Sequence, residues 1–202
     1  MDSAHNILQA SSPESESTLR EILWQALKAY STESLLNLVC DEDPIVRACA
    51  AKQLHFRPED KVFKFAERLC FSTIAFEREI AAFILGQLGT PIFPYREASL
   101  NLLIDLASDE IDEVVVAALV AIGHLNDANF FGNETVLHLL LSQANNINPD
   151  IRSACAFSLS SFGAKKEAVE VLNNLVLDND EDVAEWASVS LEIIQEQEKQ
   201  SD

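Results

Sequence analysis

Residues 41–54 read DEDPIVRACAAKQL: acids and a proline, then Ile45, Val46 and Arg47, then small residues closing on Leu54. Residues 148–159, NPDIRSACAFSL, superpose on that stretch at an offset of 105, bringing Pro149 onto Pro44, Arg152 onto Arg47, Ala156 onto Ala51 and Leu159 onto Leu54. Small or apolar positions four and seven residues after the arginine lie on one face of a helix. With the arginine as register zero, three more copies stand in the chain: REIAAFILGQLG on Arg78, VVAALVAIGHL on Val115 and VAEWASVSLEII on Ala184. The zeros at 47, 78, 115, 152 and 184 step by 31, 37, 37 and 32 residues, the spacing of a repeat array.

Each copy follows a second amphipathic pattern, such as LLNLVCDED or VLNNLVLDND, so the repeating unit is helix, turn, helix. The expected pairs are 33–40 with 44–55, 59–71 with 76–88, 95–108 with 111–125, 133–144 with 149–162 and 165–177 with 181–197. Asp43 before Pro44 and Asn148 before Pro149 each supply a capping side chain followed by a proline suited to the first helical position. Asp43 and Arg47 are then expected as an i,i+4 surface pair. A further helix from Thr18 to Tyr30, opened by a Thr18–Glu21 capping box, would cover the first pair.

One such pair cannot bury its own apolar face, so neighbours must stack. Ala50, Ala81, Ala118, Cys155 and Ala187 form an aligned small column that lets the second helices approach closely. The pattern of cap, hydrophobe–Arg, small residues and Leu resembles the HEAT repeat of the armadillo-like α-solenoids, including the short variant of phycobilin lyases. That resemblance covers about residues 33–197 and implies an all-α, right-handed α–α superhelix of five helix pairs. It also implies a polar ladder between repeats on Arg47, Arg78 and Arg152, from which Val115 and Ala184 depart. Architecture follows from such a motif far more than function does.

A chain of 202 residues, 48% hydrophobic, can bury a substantial core. The expected organisation is a flexible segment 1–16, one repeat domain 17–197 and a tail 198–202. The longest apolar run, Val114–Ile122, is far shorter than a membrane span, and the N-terminus lacks a secretory pattern. Cys40, Cys49, Cys70 and Cys155 stand apart without metal or disulfide spacing, which suits reduced core residues and a cytoplasmic location.

The net charge of −19 is unevenly spread: residues 1–96 carry −3 and residues 97–202 carry −16. Such a field repels phosphate backbones and favours a basic protein as partner over nucleic acid. Turns within repeats concentrate Asp41, Glu42, Asp43, Asp109, Glu110, Asp112, Glu113, Asp150, Asp178, Asp180, Glu181 and Asp182 along one edge. Either helix capping is their whole role or, since one cap needs one acid and three of these turns carry three or more, the surplus marks a partner surface with Glu185 and Trp186 beside it. Reversing charge at Asp109, Glu110, Asp112 and Glu113 is therefore expected to spare the fold. Trp24 and Trp186, near the two ends of the array, otherwise serve as lids over the terminal repeats. The opposite edge carries two aromatic loops, with Phe93 and Tyr95 in one and Phe130 and Phe131 in the other. Such rings either plug the seam between repeats or anchor a partner. Arg57, Lys61, Lys64 and Arg68 form a basic stripe, by default a solvated face.

No phosphate loop, nucleophile elbow, HExxH or calcium loop is present, and His5, His55, His124 and His138 lack metal-ligand spacing. No catalytic residue, cofactor or metal is expected. These readings converge on a non-enzymatic interaction module, in its sharpest form an inhibitor or immunity protein that neutralises a basic toxin, for instance a nuclease. A phycobilin-lyase-like subunit or a general assembly scaffold is the alternative.

Overall fold

A computed structural model describes residues 13–125 and 134–201. They form eleven helices and, among the described residues, no strand: α1 (Pro13–Leu27), α2 (Thr32–Leu38), α3 (Pro44–Leu54), α4 (Asp60–Leu69), α5 (Ala75–Gln87), α6 (Arg96–Leu106), α7 (Asp112–Leu125), α8 (Glu134–Gln143), α9 (Pro149–Leu159), α10 (Lys166–Leu175) and α11 (Glu181–Ser201). A 3-10 turn, Ser160–Phe162, follows α9. Helix pairs α2/α3, α4/α5, α6/α7, α8/α9 and α10/α11 are the five repeats. Phe130 and Phe131 lie outside the described residues.

Two boundaries differ from the sequence expectation. The first helix starts at Pro13, one turn before the Thr18–Glu21 box, since proline suits the first helical position and the following glutamates favour the first turn. The last helix runs to Ser201 rather than stopping at 197, because Glu, Gln and Lys continue it without a breaker.

The second helices α3, α5, α7, α9 and α11 pack side by side in an inner layer, and the first helices stand farther apart outside it. A layer packed more tightly on one side curves toward that side, so the second helices line the inner face. The small column Ala50, Ala81, Ala118, Cys155 and Ala187 is fully buried at these contacts, as are Leu54, Leu85, Ile122 and Leu159. The approach is close at Gly86, where a Cβ would fall 2.6 Å from the Ala121 Cβ. Helix α1 joins the inner layer by packing on α3, so it covers the first pair as expected.

Polar groups stitch the layer in register. Gln53 Nε2 donates to the Trp24 carbonyl oxygen (2.8 Å), Ser158 Oγ to that of Leu119 (2.7 Å) and Ser190 Oγ to that of Ala156 (2.8 Å). In each case a side chain six residues past the register zero reaches back one helix. The buried hydroxyls and amide are thus satisfied across the seams they occupy.

Candidate functional site

The turn inside each repeat is built on one column, six residues before the register zero: Asp41, Ser72, Asp109, Asn146 and Asp178. Each side chain accepts the backbone N–H two residues on, from Asp43, Ile74, Ile111, Asn148 and Asp180 at 2.9–3.1 Å. These residues are favoured here because their short side chains mimic a backbone turn. Asp43 and Asn148 then cap α3 and α9, accepting from Ile45 N–H (2.8 Å) and Asp150 N–H (2.9 Å). Asp180 caps α11 through the N–H groups of Asp182 (3.1 Å) and Val183 (3.2 Å).

The arginine at register zero reads this column twice. Nη1 of Arg47, Arg78 and Arg152 donates to the carbonyl oxygen of its own turn, at Asp41 (2.8 Å), Ser72 (2.9 Å) and Asn146 (2.8 Å). Where the next turn offers a carboxylate, the guanidinium also forks onto it: Arg78 onto Asp109 (2.6 and 2.8 Å) and Arg152 onto Asp178 (both 2.8 Å). These pairs are largely shielded from water, and the arginines hold both carboxyls below the ordinary 3.8. After Arg47 the next turn holds Ser72 at the equivalent position, and the Arg47 guanidinium lies over the Phe76 ring, 4.3 Å from its centroid. It makes backbone contacts in place of the expected pairing with Asp43, whose carboxylate is engaged as a cap.

The acids expected along one edge therefore separate by role. Asp109 and Asp178 are inter-repeat bridge residues, Asp43 and Asp180 are caps, and Glu42, Glu110 and Glu181 stay exposed on the turns. Asp112, Glu113, Asp150 and Asp182 instead line a groove of about 790 Å³ on the inner face, across α5, α7, α9 and α11. Their place in the first turn of α7, α9 and α11 puts each near a helix N-terminus that favours a carboxylate. Asp112 also accepts from Asn148 Nδ2 at 2.8 Å.

A fifth carboxylate, Glu79, belongs to the groove and was not among the sequence candidates. Partial burial and the neighbouring Glu113 charge raise its carboxyl above the ordinary 4.5, against a smaller opposing effect of Arg47. The groove floor carries Phe83, Val116, Val120, Phe157 and Trp186, and among the described residues no lysine or arginine lines it. Trp186 meets Phe157 edge to face at 5.5 Å and is 44% exposed. His124 lies 5.2 Å from Phe157, and desolvation lowers its pKa, favouring the neutral ring. Glu185 is exposed on α11 outside the groove lining.

The remaining candidates fall elsewhere. Phe93 is half-buried against the core beneath Arg96 (4.9 Å), and Tyr95 stacks on Phe63 (4.6 Å), so this loop plugs its seam. The basic stripe is largely consumed internally: Arg57 donates to the Tyr30 carbonyl oxygen, Lys61 pairs with Glu33 and Glu59, and Lys64 with Asp60. Ile147, Leu177 and Phe71 stand exposed on the turn edge. Among the described residues no group of three or more His, Cys, Asp or Glu could hold a metal ion, and no helix is long and apolar enough to cross a membrane.

No family model matches the chain. It is 24% identical to Protein YibA of Escherichia coli K12 over 172 residues, covering 85% of this chain and 61% of YibA. The chain thus spans under two thirds of that relative's length. The crystal structure of Escherichia coli YibA superposes with a TM-score of 0.77 at 23% identity, covering 93% of this chain and 65% of that one. A designed armadillo repeat protein in complex with the peptide (KR)4 superposes with a TM-score of 0.57 at 14% identity, over 90% of this chain and 92% of that one. A chain of the Kap95p–RanGDP structure does so at 0.67 and 16%, over 90% of this chain and 27% of that one. The fold is the HEAT/armadillo-like α-solenoid.

Proposed function

We propose that this protein is a non-enzymatic binding module whose inner groove takes a basic segment of a protein partner. The observation that carries the reading is the groove itself: five carboxylates, an aromatic floor and, among the described residues, no lining lysine or arginine. Complementary charge speeds encounter and rejects acidic competitors, while apolar contacts at the floor supply affinity. The complex of a designed armadillo protein with (KR)4 is a precedent for a basic peptide on this fold, at an identity too low to carry more. The sharpest form of the proposal is an inhibitor or immunity protein that covers the cationic site of a toxin such as a nuclease, in the cytoplasm. Burial pushes the Cys70 and Cys155 thiols up to about 12, leaving unreactive core cysteines, while Cys40, expected in the core, is exposed on the turn after α2.

The test compares affinity capture from the native host by the wild-type chain and by a Glu113→Gln/Asp150→Asn/Asp182→Asn variant whose melting temperature is matched. A basic protein retained by the first and lost from the second supports the reading, and its inhibition on addition of the wild-type chain supports the toxin form. Identical captures from both would overturn it.

A further inference from the structure

Four half-buried rings elsewhere in the chain carry one of the protein's own cations. Lys28 lies over Trp24 (3.9 Å), Arg68 over Phe65 (5.1 Å), Arg47 over Phe76 (4.3 Å) and Arg96 over Phe93 (4.9 Å). The groove rings Phe83, Phe157 and Trp186 meet a histidine or one another instead. Trp186 is the more exposed of the two tryptophans and lies in a groove that, among the described residues, no lysine or arginine lines. Asp182 lies one helical turn before it on α11, on the same face, and Asp150 borders the groove from α9.

We infer that the Trp186 end of the groove is an arginine subsite, a refinement that rests on the groove-binding reading above. A planar guanidinium can stack on an indole face and still donate in its plane to a carboxylate at the ring's edge. An ammonium has no plane to stack and holds its hydration more tightly, so it satisfies one of the two groups at the expense of the other. The chain uses both guanidinium contacts on itself, placing Arg47 over Phe76 and forking Arg152 onto Asp178. At Trp186 the ring and the carboxylate are present together, and the guanidinium comes from the partner.

The full chain carrying Trp24→Phe, in which Trp186 is the sole tryptophan, is titrated with short peptides alternating arginine with serine and with their lysine counterparts, at low salt. The arginine peptide is expected to bind roughly three- to tenfold more tightly and to shift the Trp186 emission, while the lysine peptide binds without that shift. In the unsubstituted chain, calorimetry should show the preference disappearing on Trp186→Leu and shrinking on Asp182→Asn, with residual binding equal for both peptides. Equal affinity of the two peptides for the wild-type chain, or an emission unmoved by arginine, overturns the arginine subsite alone. If neither peptide binds at low salt, the groove-binding reading falls with it.

Discussion

The guanidinium of Arg78 spans a repeat boundary, its Nε and Nη2 on the two carboxylate oxygens of Asp109 at 2.6 and 2.8 Å, while its Nη1 closes its own turn on the Ser72 carbonyl oxygen at 2.9 Å. One side chain thereby fixes both the turn within its repeat and the register of the next. Asp109→Asn leaves an almost isosteric group that can accept one of those two bonds, and it should cost about 1–3 kcal/mol. Glu110→Gln, on the exposed neighbour, should stay within about 0.5 kcal/mol. Urea denaturation of the two variants checks this, and equal costs would mean that the bridge adds nothing. Reversing charge at Asp109, Glu110, Asp112 and Glu113 together is therefore expected to destabilise the fold through Asp109, contrary to what the sequence alone suggests.

Stability should fall in mild acid because of His55. This ring is 4% exposed, its Nε2 has no hydrogen-bond partner among the described residues, and burial lowers its pKa from 6.5 to about 4. The unfolded chain takes up a proton below about pH 6.5 whereas the folded one resists until about 4, so the loss accrues across that window and amounts to ~3 kcal/mol at most. The Asp109 and Asp178 bridges act in a separate window: their depressed carboxyls keep stabilising the fold above 3.8 and lose that contribution only as pH falls through their folded values. His55→Gln should reduce the slope of the upper window in denaturation curves taken between pH 7 and 2, leaving the part that belongs to the desolvated His124, and should leave the lower window unchanged.

The repeat register was legible because the closely packed seams demand small side chains at one position, and Ala50, Ala81, Ala118, Cys155 and Ala187 mark it without a gap. Cap positions were legible for the same kind of reason, since Asp43 and Asn148 are followed by prolines. The site was legible only in part. A run such as Asp178, Asn179, Asp180, Glu181 and Asp182 reads as one acidic edge, yet helical geometry sends its members to a bridge, a cap, the solvent and the groove. Comparing the column six residues before register zero with the register zero of the preceding repeat pairs Arg78 with Asp109 and Arg152 with Asp178, and that correlation was the available signal. Glu79 escaped because it lies inside a helix rather than in a turn; its i,i+4 relation to Phe83 marks a shared face, but only the curvature of the inner layer turns that face into a groove.

Glu79 separates stability from binding. Its raised carboxyl means that the folded chain holds the proton more tightly than the unfolded chain, so its relative stabilisation is present at low pH and lost as pH rises from about 4.5 through the folded value. At neutral pH the ionised carboxylate is a net cost. Glu79→Gln should accordingly raise the melting temperature at pH 7, leave it unchanged near pH 3, and weaken binding of an arginine-rich peptide. A variant less stable at pH 7 would show that the carboxylate is held by an attractive contact instead.

Association with a basic partner should slow as salt rises, and the groove rather than the net charge should set the slope. Screening acts over roughly 8 Å at physiological ionic strength, so carboxylates facing the bound segment count and distant ones do not. Glu113, Asp150 and Asp182 line the groove, while Glu192, Glu196 and Glu198 lie farther along α11 outside its lining. Neutralising the first three should lower the association rate at low salt and flatten its salt dependence, whereas neutralising the second three should change neither by more than about twofold. Asp178 and Asp180 are unsuitable for this comparison, since one forms a bridge and the other a cap. Stopped-flow mixing with the arginine–serine peptide, followed through Trp186 emission, measures all three proteins. Equal slopes for the two triple variants would assign the acidic balance to solubility, and a hydrogen-exchange footprint on the exposed turn residues Ile147 and Leu177 would move the interface to the turn edge.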